Sequence, residues 1–162
     1  MVERLICAPR SIMVAVDVPT MKDALNMALA VSDLPKVSSL KVGFLQAFNG
    51  LPEVVSNLKR LCPSKKVVFD FQKAGNDIPE MGGPFAKKLK QAGCDAAILF
   101  PFAGPETQAE WTRACMGEGL HVLVGGAMTH KKFLVSEGGY IGDDVPEKIF
   151  DLSTKLSVWH KQ

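Results

Sequence analysis

Residues 67 to 79 read Val-Val-Phe-Asp-Phe-Gln-Lys-Ala-Gly-Asn-Asp-Ile-Pro, an apolar run leading into Asp70, Lys73 and Asp77. The β-branched apolar residues predict a buried strand. Asn76, Asp77 and Pro79 predict a helix start. Two carboxylates and an amine thus lie on a strand or just past its C-terminal end, where α/β folds keep their chemistry. An unpaired buried charge is costly, so charges at such a place need a reason. One reason is chemistry: an ammonium among carboxylates can transfer a proton or stabilise developing negative charge. The other is a structural ion pair at a strand end. Further polar residues close or interrupt other apolar runs. Asp17 ends Ser11–Asp17, Lys41 stands inside Ser38–Phe44, and Thr129 and His130 follow His121–Val124.

The elements that must position these residues alternate along the chain. Apolar runs beginning near positions 12, 39, 66, 96 and 121 predict strands. Helices fall between and after them. Thr20 and Asp23 cap the first, which carries Leu25, Ala28 and Leu29 inward and extends to about Leu34 before Pro35. Gly50 and Pro52 open the second, with Val54, Val55, Leu58 and Leu61 on one face. Phe85, Leu89 and Ala92 mark the third, stopped by Gly93. The fourth starts at Pro105-Glu106 and fades at Gly117 and Gly119. A short helix is expected within Lys131–Glu137. Asp144 caps a last helix, with Ile149, Leu152 and Leu156 inward. A strand pitch of roughly 27 residues is that of βα units, which forces parallel strands with right-handed crossovers. Two architectures fit one domain spanning residues 1–162. Length favours an open five-stranded sheet, because eight units at this pitch need roughly 220 residues. The convergence of Asp17, Lys41, Asp70 and Lys73 near the ends of the first three strands favours a (β/α) barrel of TIM type, of which the chain would supply about the first five units.

Composition sets outer limits. The chain has 162 residues, 47% hydrophobic and 22% charged, with a formal net charge of +2, an ordinary globular profile with room for a sizeable core. Lys and Arg are scattered, so no basic patch argues for nucleic acid. No apolar run reaches a membrane-spanning length, and the N-terminal one is too short for a signal peptide. Cys7, Cys62, Cys94 and Cys115 are widely spaced, with no CxxC pair. They suggest neither a zinc site nor a disulfide framework, and are expected to act as small apolar residues in a reducing cytoplasm. His121 and His130 read as packed or loop histidines, and no phosphate-loop pattern is present.

Taken together, five stretches resemble a known family. They are Val-Ala-Val-Asp17-Val, Leu-Lys41-Val-Gly-Phe, Asp70…Lys73…Asp77-Ile78-Pro79, Gly126-Ala-Met-Thr129-His130, and Ser136-Glu-Gly-Gly-Tyr-Ile-Gly-Asp-Asp144. The chain resembles the orotidine 5'-monophosphate decarboxylases of archaeal type, in the superfamily that also holds sugar-phosphate decarboxylases. Lys41 discriminates within it, because the magnesium-dependent relatives carry Glu there. The resemblance implies a cofactor-independent carboxy-lyase that makes UMP, with no metal. Asp17 and Lys41 would hold the ribose hydroxyls of the nucleotide, and Lys41 would join Asp70. Asp70 would face the substrate carboxylate, and Lys73 would give a proton to pyrimidine C6 as carbon dioxide leaves. Asp77 and Ile78 would reach the neighbouring site of a homodimer, and Thr129 would touch the pyrimidine edge.

Two departures accompany the resemblance. The family pattern Asp-x-Lys-x-x-Asp is longer here by one residue in each interval, as in one archaeal branch. Strand side chains alternate, so Lys73 rejoins Asp70 only if the strand has ended or bulges, which Gly75 eases. The second departure is at the C-terminus. The Pro-Gly, Gln and Arg elements expected for phosphate binding after later strands have no counterpart before Gln162. The expectation is therefore a truncated product, or a barrel completed by another chain, with weak nucleotide binding and little turnover from this polypeptide alone. The alternatives are a non-catalytic βα scaffold or nucleotide-binding protein, and a magnesium-dependent sugar-phosphate decarboxylase.

Overall fold

A computed structural model describes residues 5–6 and 8–159, and the side chains of the helical residues through 156. Among the described residues five strands alternate with helices. They are β1 (Ile12–Ala15), α1 (Met21–Ala30), β2 (Val37–Val42), α2 (Phe44–Phe48), α3 (Leu51–Leu61), β3 (Lys66–Asp70), α4 (Gly82–Gln91), β4 (Ala96–Leu99), α5 (Pro105–Gly117), β5 (His121–Val124) and α6 (Val145–Trp159). Short 3-10 turns at Pro79–Met81 and Val135–Glu137 precede α4 and α6. The expectation for Cys7 lies outside the described residues. Among the described residues no helix is long and apolar enough to cross a membrane.

Strand order separates the two architectures. All pairs are parallel and the order is β1-β2-β3-β4-β5. A doubly wound sheet reverses direction at a switch point, whereas a barrel adds each strand beside the last. The consecutive order is therefore the arc of a (β/α) barrel, and the length argument for an open sheet is overturned. Neighbouring helices pack along the outside, α1 on α3, α4 on α5 and α5 on α6.

Alternation along the strands sorts the side chains. Val14, Val16, Leu40, Val42, Val67, Phe69, Ala97 and Leu99 meet the helices in the main core. Their neighbours in sequence, including Lys41, Val68, Asp70 and Ile98, face the concave side. The register pairs Ala15 with Lys41, Lys41 with Val68, and Asp70 with Ile98, so that side is continuous from strand to strand.

Several local expectations shift. Thr20 caps α1 and exchanges hydrogen bonds with Asp23, but Leu29 is exposed, and Ala24 and Ala28 make the inward face. α1 also ends at Ala30, short of Leu34. α3 presents buried Val54, Val55 and Leu58 as expected. α4 begins at Gly82, not near Asp77, and no side chain caps the 3-10 turn before it. At Gly82 a Cβ would stand 2.9 Å from the Trp111 Cα, so the glycine lets the first turn of α4 lie against α5. α2 was not foreseen.

Candidate active site

The concave ends of β1, β2 and β3 bring three charged residues together. Lys41 Nζ lies 2.5 Å from Asp70 Oδ2, with the Asp70 side chain 11% exposed. Asp70 Oδ1 is buried and has no hydrogen-bond partner among the described residues. A carboxylate that holds an ammonium with one oxygen and leaves the other bare is a poised electrostatic element.

Asp17 enters from β1. Its Oδ1 accepts hydrogen bonds from the backbone amides of Gly43, at 3.2 Å, and Gln46, at 3.0 Å. Asp17 thus caps α2, the helix after β2, and not the helix after its own strand. Gly43 makes the approach possible. A Cβ there would stand 2.7 Å from the Asp70 carbonyl oxygen and 2.8 Å from Asp17 Oδ2. The fully buried Gln46 closes the arrangement by donating from Nε2 to the Val18 carbonyl.

Lys73 and Asp77 form a separate pair, with Lys73 Nζ 3.8 Å from Asp77 Oδ2. Both line a cavity of about 300 Å³ with Phe71, Phe85 and Trp111, toward the helices. Among the described residues no ion pair joins Lys73 to Asp70. β3 has ended at Asp70, and in the turn beyond it, closed by the Ala74 amide donating to the Phe71 carbonyl at 2.8 Å, Lys73 lines the same cavity as Phe71. The turn that follows is fixed. Phe100 N donates to the Ala74 carbonyl at 2.7 Å, and Gly75, at φ +87°, packs against Phe100 and Pro101. Asp77 Oδ1 accepts from the Ile78 amide, and α5 holds this segment through Thr107 to the Asp77 carbonyl and Trp111 to the Ile78 carbonyl. Ile78 itself is exposed. Thr129 is exposed on the loop after β5, lining a shallow cavity of about 430 Å³ with His130, Lys131 and Lys132. Among the described residues no hydrogen bond joins it to Lys41 or Asp70.

The sequence pattern of the orotidine 5'-phosphate decarboxylase / HUMPS family matches residues 10–155. The chain belongs to that family. Orotidine 5'-monophosphate decarboxylase from Methanocaldococcus jannaschii superposes with a TM-score of 0.75 at 26% identity, over 91% of this chain and 67% of that one. A structure of the M. jannaschii protein complexed with inhibitor BMP gives 0.76 at 24% identity, over 91% and 64%. The Pyrococcus horikoshii OT3 protein shares the fold, with a TM-score of 0.70 at 21% identity over 90% and 64%. This chain thus spans about two thirds of the length of these family members. No curated protein matches it.

Family membership accounts for the barrel arc and for charges at the C-terminal ends of its strands. Sequence reasoning missed Gly43 and Gln46. Gly43 directly follows the Lys41-Val42 pair, and a glycine next to a strand-end charge signals close backbone approach. Gln46 gave no signal, because its partners Asp17 and Val18 are 29 and 28 residues away.

Proposed function

We propose that this chain carries part of the active site of an orotidine 5'-monophosphate decarboxylase, a cofactor-independent carboxy-lyase that forms UMP in pyrimidine biosynthesis in the cytoplasm. The observation that carries the reading is the Lys41–Asp70 pair, its second carboxylate oxygen buried and bare, beside Asp17. In this reading Asp17 and Lys41 bind the ribose hydroxyls of the nucleotide. Asp70 faces the substrate carboxylate. Loss of carbon dioxide leaves an electron pair on pyrimidine C6, and an ammonium stabilises it and supplies the proton. Lys73 is assigned that proton. Its present contact with Asp77 is long and exposed, worth no more than about 1 kcal/mol, so giving it up for the substrate costs little. Thr129 is assigned to the pyrimidine edge.

A homodimer with shared sites belongs to the same reading. Phe48, Ile78 and Met81 are exposed, and the Phe48, Phe44 and Phe71 rings touch in sequence, leading toward the cavity that Met81 and Asp77 line. Apolar surface of this kind suits a second copy, with Asp77 and Ile78 reaching into its site.

A second reading is a nucleotide-binding protein without turnover. The separation of Lys73 from Asp70 favours it. Magnesium-dependent sugar-phosphate chemistry fits less well, because Lys41 puts an ammonium where a hard cation needs oxygen. The test combines calorimetric binding of 6-azauridine monophosphate with carbon dioxide release from orotidine 5'-monophosphate. Binding, release and loss of release in Lys73→Ala support the decarboxylase. Binding without release supports the second reading, and unchanged release in Lys73→Ala refutes the role of Lys73. Sedimentation that finds only monomers refutes the shared site.

A further inference from the structure

Gln46 has no place in the roles above, yet it is the one fully buried amide side chain at the end of β2. Its backbone amide donates to Asp17 Oδ1, and its side-chain Nε2 donates to the carbonyl of Val18, the next residue. Its Oε1 accepts from Asn49 Nδ2 at 3.3 Å, and the same Asn49 nitrogen donates to the Pro19 carbonyl at 3.1 Å. Residues 17, 18 and 19 are thus each tied to α2, two of them by Gln46. These ties leave Asp17 one orientation. Oδ1 is taken by two amides, while Oδ2 carries no hydrogen bond among the described residues and lies against Gly43, beside the end of β3. A buried amide that donates to a backbone carbonyl and accepts from a neighbouring side chain resists rotation, since each lost bond strands a desolvated group.

We propose that Gln46 is a positioning residue for ribose recognition: it locks the β1–α1 connection to α2 so that Asp17 Oδ2 is held ready to accept a ribose hydroxyl. This rests on the reading that Asp17 binds the ribose. An oxygen fixed in advance makes its bond without ordering cost, and a displaced one does not.

A positioning role differs from a structural one in what it changes. Loss of general stability weakens every ligand alike. Loss of Asp17 alignment weakens a ribonucleotide while leaving its deoxy analogues nearly untouched. The experiment measures affinity by calorimetry for 6-azauridine monophosphate and its 2'-deoxy and 3'-deoxy forms, in the parent protein, Gln46→Met and Asp17→Ala. The expected result is a preference for the ribose form in the parent, lost in Asp17→Ala and reduced about tenfold in Gln46→Met, the size of one charge-assisted hydrogen bond. If Asp17→Ala abolishes the preference and Gln46→Met retains it, the positioning role is overturned and the Asp17 assignment stands. If Asp17→Ala also retains it, or the parent shows none, the Asp17 assignment fails and this inference fails with it. Should Gln46→Met not fold, Asn49→Ala, at the half-buried end of the same brace, is read by the same ratio. A reduced preference supports the lock, and an unchanged one overturns it.

Discussion

Gly43→Ala is the sharpest test of how the charged residues are assembled. The added Cβ would stand 2.7 Å from the Asp70 carbonyl oxygen and 2.8 Å from Asp17 Oδ2. Ordinary C···O approaches are about 3.3 Å or longer, so each neighbour must retreat by about half an ångström. The Asp70 carbonyl belongs to β3 and cannot swing away alone. The Asp17 carboxylate can, but only by stretching its bonds to the Gly43 and Gln46 amides. The backbone itself is not the obstacle, since Gly43 has φ −137°. Overpacking of this kind costs about 1–3 kcal/mol. Weakening charge-assisted bonds adds to it, so a total of about 2–4 kcal/mol is expected. Urea unfolding followed by circular dichroism measures it as a lower midpoint at unchanged slope. A Gly43→Ala protein within about 0.5 kcal/mol of the parent, the scatter of ordinary surface substitutions, would refute the geometry of the Asp17–Gly43–Asp70 contact.

Gly117→Ala should move the other way. Gly117 ends α5 with open space where a Cβ would go and no positive φ, so alanine should stabilise by about 0.5–1 kcal/mol in the same assay. Lys41→Met should destabilise by about 1–3 kcal/mol, discounted from a fully buried pair because Lys41 is one third exposed. Adding Asp70→Leu should cost clearly less than the sum of the two single changes, and strict additivity in that cycle would sink the pair. Burial pushes the Cys94 and Cys115 thiols up to about 12. Iodoacetamide at pH 8 should therefore label them only on unfolding. The linkage sign follows: below about pH 9 both states keep these protons, and above it the unfolded chain sheds protons that the fold retains to about pH 12. Stability should fall as pH rises through that window, less steeply in Cys94→Ala/Cys115→Ala, and an equal fall would contradict the assignment.

Much of the architecture is legible from local pattern. β5 has the bounds its apolar run suggests, His121–Val124, and α3 buries the residues its spacing selects. Each signal lies within a few residues of the element it defines. Legibility fails where the deciding contact is remote. α2 spans five residues, too few for a helical period to register, and its N-terminus is satisfied by Asp17 from another strand. Leu29 fits the apolar stripe of α1 yet faces outward, because small Ala24 and Ala28 let the helix lie close to its neighbours. Length misdirected the choice between open sheet and barrel. Only strand order, a property of the folded sheet, decides between them.

The site divides along the same line. Asp17, Lys41 and Asp70 stand on or just after strands, where counting by two from a buried residue fixes the face of each, so their convergence follows from sequence and register together. Lys73 and Asp77 lie beyond the strand, where counting no longer applies. There the outcome depends on the turn, and the turn is held by Ala74 accepting from Phe100 at the end of β4 and by Gly75 lying against Pro101. The residues after Asp70 turn at once, the Ala74 amide donating to the Phe71 carbonyl and the Asn76 amide to the Lys73 carbonyl, so the turn and not strand alternation sets where Lys73 stands. The Phe100–Ala74 hydrogen bond anchors that turn to the end of β4, and with it the backbone between the 41–70 and 73–77 charge pairs.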